Sequence, residues 1–229
     1  MRIRHETLTT VFDTVYLALV TNALLVVACL PLAVAVLLTD PARSWPLLAL
    51  LAPLCAPGLC GAFAVFAAYG VDGPVRSFVR GWRASLRRAV PAAAAGTAAL
   101  VVLGVDVRAA WGRPIGAVVI PVLVTGMALV AATTVLVLVV LAERPGVRLR
   151  DAARACLFLV VRRWYLTVLS LAVLALLEAL LAARPALAAG LAAAPLLYVV
   201  WSNSRYTLGA VLGPVKQVGS AGPIEPATP

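Results

Sequence analysis

The sequence predicts an all-α membrane protein with six transmembrane helices, organised as three repeats of an interfacial helix followed by a two-span hairpin. Three observations carry this prediction. Of 229 residues, 63% are hydrophobic and 12% charged, against about half and about a quarter in a soluble globular domain. The apolar residues gather in five long runs and a sixth shorter one, and about 18 or more apolar residues suffice to cross the hydrocarbon core of a bilayer. The runs are continuous rather than alternating, so helices and not barrel strands satisfy the backbone in lipid.

The spans follow in order. The first covers about residues 15–38 and the second 46–69. The third, 89–105, is short and alanine-rich. The fourth, 115–141, is long enough to tilt. The fifth, 164–183, is interrupted near its end by Glu178, and the sixth covers 185–201. These belong to one membrane domain, 1–212, followed by a tail, 213–229, whose Gly, Pro, Ser and Ala content predicts disorder. Glu6 and Asp13 interrupt the basic start, and the apolar run after Asp13 exceeds a signal-peptide core, so no cleavable signal is expected.

Charge sets the expected topology. The net charge is +10, from eighteen arginines and Lys216 against nine acids. Arg2 and Arg4, the loops 76–88 and 144–163, and the segment with Arg205 and Lys216 place fifteen basic residues on one side. Arg43, Arg108, Arg113 and Arg184 fall on the other. Short loops rich in Lys and Arg stay in the cytoplasm, which predicts a cytoplasmic-membrane protein with both termini inside. A basic surplus also suits nucleic acid, but no nucleic-acid motif or soluble basic fold accompanies it. Anionic lipid headgroups on the cytoplasmic face are the expected partner.

Two basic loops are patterned. Val75, Phe78, Val79, Trp82 and Leu86 share a helical face, and Arg76, Arg80, Arg83 and Arg87 share another. That pattern predicts a basic amphipathic helix in the membrane interface, with Trp82 at headgroup depth. In 149–163, Leu149, Ala152, Ala153, Cys156, Leu159 and Val160 share a face while Arg150 and Arg154 point elsewhere. Both arginine sets form a candidate surface for lipid or for a partner protein. Basic leading segments near Arg4, Arg76 and Arg150 recur at roughly 70-residue spacing, which suggests the three repeats.

Polar and helix-breaking residues inside the spans are functional candidates. Asn22 lies two turns into span one, ahead of Pro31; Pro53, Pro57 and Gly58 break span two. Carbonyls freed at such a break can line a solute site, or the break can serve packing alone. Pro121 and Pro195 predict further kinks. Glu178 stands near the outer end of span five, where Arg184 is the expected partner. Chemical motifs are otherwise missing. The one histidine is His5; no Ser/His/Asp or Cys/His set, phosphate loop or metal-ligand spacing is present. Cys29, Cys55, Cys60 and Cys156 read as small apolar filler. No catalytic residue, metal or cofactor is expected, and the chain reads as a non-enzyme.

The segment Val15–Pro31, with Asn22 and Leu30–Pro31, resembles the opening of the YesL-like family of bacterial integral membrane proteins. Phe78, Gly81, Trp82 and Arg83 are similar to that family's aromatic and basic segment before its third span, and Pro53–Gly58 to its proline-rich second span. In organisation the likeness covers about residues 10–212. The family is a domain of unknown function, so the resemblance supplies no catalytic or binding residues. Its genes often lie beside those of carbohydrate ABC transporters and glycoside hydrolases. The resemblance therefore implies a non-catalytic accessory component of carbohydrate uptake, with sugar ABC-transporter subunits as partners. The alternative is an autonomous small-solute transporter with its site at the broken second span; a lipid-modifying enzyme comes third.

Overall fold

The computed structural model describes residues 2–40 and 43–212, with side chains for 12–40 and 43–209. The predicted disordered tail lies outside the described residues. Every regular element among those described is helical. In order these are α1 (Arg2–Ala28), α2 (Leu30–Leu38), α3 (Trp45–Leu51), a 3₁₀ turn (Ala52–Cys55), α4 (Ala56–Ala67) and α5 (Pro74–Ala110). There follow α6 (Gly116–Glu143), α7 (Leu149–Arg162), α8 (Trp164–Ala183), a single turn α9 (Pro185–Leu187), a π-helical segment (Ala188–Ala192) and α10 (Ala193–Leu212). Five stretches are long and apolar enough to cross a membrane, and α1 with α2 makes a sixth if that pair, bent by 68°, counts as one span. The chain is a multi-span α-helical membrane protein.

Three expectations about the elements need correction. The first span is broken at Cys29, and α2 leaves at a steep angle with Leu37 and Leu38 largely exposed. Pro31 has no N–H to return to the preceding turn, so the helix restarts at Leu30–Pro31. The basic segment 75–88 is not a separate interfacial helix. It is continuous with span three in the 37-residue α5, which runs through Pro91. At 1.5 Å per residue α5 is about 55 Å long, well beyond a hydrocarbon core of about 30 Å. By contrast, the basic segment 149–162 does break from its span, at Arg163, whose backbone leaves the helical region. The leading segments thus take two forms, continuous with the span in α1 and α5 and separate in α7, and the repeat is not evident. Span six also runs further than expected, to Gly209. Its polar end holds its hydroxyls on its own backbone: Ser204 Oγ donates to Val200 O at 2.7 Å and Thr207 Oγ1 to Asn203 O at 3.0 Å.

The core gathers around the second half of α6, where Leu136 to Leu141 are all buried. Helices α4, α5, α7, α8 and α10 all touch α6. α5 packs along both α4 and α6 through small residues. A β-carbon on Gly81 would lie 2.4 Å from that of Ala64, and one on Gly96 would lie 2.3 Å from Thr134 Oγ1. Only glycine lets these backbones approach so closely. The α5–α6 turn depends on Gly112, which has φ +76 immediately after the last helical turn.

Candidate functional site

The break in span two follows from its prolines. Pro57 has no N–H to give Pro53, four residues earlier, so the Pro53 carbonyl instead accepts the Ala56 N–H, and the helix tightens to a 3₁₀ turn. Pro53, Pro57 and Gly58 are buried, while Pro31 is exposed. Gly58 lies against span one: a β-carbon there would be 2.9 Å from that of Ala28. Next to it lie the thiols of Cys29 and Cys55, close enough to influence one another. The two breaks therefore meet, one filling the other.

Asn22 serves a third break. It is 2% exposed. In a regular helix the Ala194 N–H would bond to the Gly190 carbonyl. Here the Asn22 amide stands between them, donating from Nδ2 to Gly190 O at 2.8 Å and accepting the Ala194 N–H on Oδ1 at 2.6 Å. The π-helical segment that opens this gap ends three residues before Pro195, which cannot donate to Leu191. Asn22 thus substitutes for a missing backbone bond where lipid offers none. Along α1, Asn22 and Ala28 are about 9 Å apart, so the two junctions share one helix but not one pocket. Glu178 belongs to neither. It is exposed on α8, and no ion pair joins it to Arg184 among the described residues. Of the predicted kinks, Pro121 leaves α6 unbroken.

The arginine-rich segments gather at one end of the bundle. Arg88 Nη1 donates to the carbonyls of Pro145 and Val147 in the loop after α6, the latter at 2.9 Å. Arg205 Nε lies 3.1 Å from Glu143 Oε1, close enough for charge pairing but not aligned as a hydrogen bond. Arg163 Nη1 donates to Tyr206 O at 3.0 Å. Arg163 stacks over the Tyr206 ring at 5.4 Å and Arg205 over Trp201 at 5.0 Å.

The candidate surface arginines, Arg76, Arg80, Arg83, Arg87, Arg150 and Arg154, are all exposed. Arg80 pairs with Asp72 at 2.8 Å, an exposed contact that contributes little to stability. On α7 the expected inward face is the observed one, with Ala152, Cys156, Leu159 and Val160 buried. Burial pushes the Cys156 thiol up to about 12, so it stays neutral at physiological pH. On α5 the inward face is a different one: Ser77, Phe78, Gly81, Ser85 and Ala89 are buried, Trp82 is half-buried, and Val75 and Leu86 are exposed. Small residues at four-residue intervals admit α4 closely, so larger apolar side chains turn outward beside the arginines. The result is a shallow groove of about 850 Å³ lined by Val75, Arg76, Val79, Arg80, Arg83 and Ala84.

Sequence reasoning missed Asn203, Glu143 and Arg163 as contact-forming residues. Asn203 Nδ2 donates to Leu166 O and to Ser170 Oγ, both at 2.6 Å, joining α10 to α8. The signal was the polar run Ser202–Tyr206, which lies inside α10 although it reads as the end of the sixth span. Among the described residues no three His, Cys, Asp or Glu side chains form a metal-binding group. No family model matches this chain, and no curated protein or solved structure matches it either. The resemblance to YesL-like proteins therefore stands on the short segments quoted above.

Proposed function

We propose that this chain is a non-catalytic accessory component of the bacterial cytoplasmic membrane, with its arginine-rich end in the cytoplasm, that docks on a carbohydrate-importing ABC transport complex. The supporting observation is the outward face of α5. There apolar and basic side chains alternate along one groove, Val75 and Val79 beside Arg76, Arg80 and Arg83, and Asp72 pairs with only one of these arginines. A mixed apolar and cationic surface suits an acidic protein partner and the anionic headgroups around it. The cytoplasmic assignment rests on the positive-inside rule. The sugar-transport assignment rests on the family resemblance.

The test is affinity purification in mild detergent from the native host grown on a complex polysaccharide, with quantitative mass spectrometry. Sugar ABC-transporter subunits should accompany the wild-type chain in stoichiometric amount. They should be lost from an Arg76→Gln/Arg83→Gln variant that still folds. Recovery of the chain alone, together with solute uptake by purified protein in liposomes, would favour the autonomous transporter instead.

A further inference from the structure

A second groove at the basic end lies between the α7–α8 break and the last turns of α10. It has a volume of about 720 Å³ and is lined by Arg163, Tyr198, Trp201, Ser202, Arg205 and Tyr206. No lining residue is acidic. Each guanidinium is held by an aromatic ring and one further contact, to the Tyr206 carbonyl for Arg163 and to Glu143 for Arg205. A guanidinium carries five N–H donors. These contacts therefore fix the two orientations and leave most of the donors unused. With Glu143 set against Arg205, one positive charge remains. The indole N–H of Trp201 is buried without an acceptor. Tyr198 and Trp201 pack on Phe66 of α4, with ring centroids 5.5 Å and 5.9 Å apart, so the floor is aromatic.

The groove also sits at a boundary. It lies where the basic amphipathic α7 gives way to the apolar α8. Trp164 and Tyr165, the first residues of α8, are 68% and 54% exposed. Exposed Trp and Tyr at the start of a span mark headgroup depth.

We propose that this groove binds one anionic phospholipid from the surrounding leaflet, its phosphodiester held between Arg163 and Arg205 and the start of its acyl chains lying against Tyr198. Paired arginines suit phosphate oxygens through charge-assisted hydrogen bonds, and a phosphodiester carries the single negative charge that the residual positive charge requires. The aromatic floor at headgroup depth suits a lipid better than a freely hydrated anion. The site needs no partner protein, so its failure and the failure of the docking reading are separately visible.

The test is native mass spectrometry of the full chain in detergent, titrated with phosphatidylglycerol, with phosphatidylcholine and with inorganic phosphate. One phosphatidylglycerol should stay bound per chain under activation that strips phosphatidylcholine. Arg163→Gln should weaken its retention about tenfold, the loss expected for a charged hydrogen bond. A double variant, Arg205→Gln with Glu143→Gln, should do the same without stranding a carboxylate. Arg148→Gln, which removes equal charge from the exposed residue just before α7, should change nothing. Equal loss with Arg148→Gln would reduce the effect to general surface charge and overturn the site. Equal retention of the two lipids, or displacement by inorganic phosphate, would overturn a lipid-phosphate ligand, and the wild-type comparison stands even if a variant fails to fold.

Discussion

The second and fifth spans are almost equally apolar, with mean hydropathies of 2.0 and 2.4, yet half of the span-two window is buried inside the bundle against 6% for span five. Close helix approach separates them. α4 turns Gly58, Cys60, Gly61 and Ala62 inward, with Phe63, Val65 and Phe66 following them into the core, and α8 is built largely of leucine and alanine, with Leu177 its one buried residue. Lipid tails are as apolar as leucine, so hydrophobicity does not draw helices together in a bilayer. Close backbone approach does, and small residues allow it. In this protein glycine, serine and cysteine mark the close contact of α4 with α5, while leucine and valine fill the core at the end of α6.

The sharpest way to break that comparison is to enlarge a small residue between α4 and α5 and truncate a large one on α8. Gly81→Leu must force α5 off Ala64 and the Cys60 carbonyl, and should destabilise by about 3 kcal/mol or more. Leu176→Ala, at a position 51% exposed, should cost less than about 0.5 kcal/mol, as surface changes do. Thermal unfolding of both in one detergent decides it; similar losses would mean that size does not distinguish the two spans. Asn22→Leu should come next. It orphans the Gly190 carbonyl and the Ala194 N–H, at about 1–3 kcal/mol for each buried group. Glu178→Gln, on exposed α8, should leave the melting temperature unchanged. A variant at Asn22 that keeps full stability while losing solute uptake would instead restore that residue to a transport site. The smallest effect is a positional one. Mild oxidation of native membranes should join Cys29 to Cys55, whose thiols lie close enough to influence one another, and leave Cys60 and Cys156 reduced in their buried places. Peptide mapping reads the outcome, and a product containing Cys60 would contradict the meeting of the two breaks.

Much of the architecture was legible. Apolar length located the spans, with Trp164–Ala183 matching to the residue. Proline spacing foretold the span-two break, and helical periodicity found the inward face of α7. The same periodicity was only partly right on α5: Phe78 and Trp82 do face the core, but Val75 and Leu86 do not. The other inward positions are Ser77, Gly81, Ser85 and Ala89, which no hydrophobic pattern highlights. Asn22 was legible as unusual but not as a clasp, because its partners are 168 and 172 residues away in sequence. The π-helical segment was invisible for the same reason, since a local alanine and glycine run does not reveal which side chain will enter it. The aromatic and arginine contacts of Arg163 depend on α10 lying beside the α7–α8 break, a placement that only tertiary packing supplies.

The clasp between α1 and the start of α10 has a consequence for biosynthesis. Asn22 emerges with the first helix, and the backbone it completes is made 168 residues later. At cellular rates of about 5–20 residues per second this interval lasts roughly ten to thirty seconds. Until then a carboxamide in span one waits in the membrane for a groove not yet synthesised, and the sixth helix arrives carrying an open turn that only the first can close. The first and last of the described spans are therefore clasped together, and in a chain stalled before residue 190 the Asn22 carboxamide has not yet met the backbone it closes.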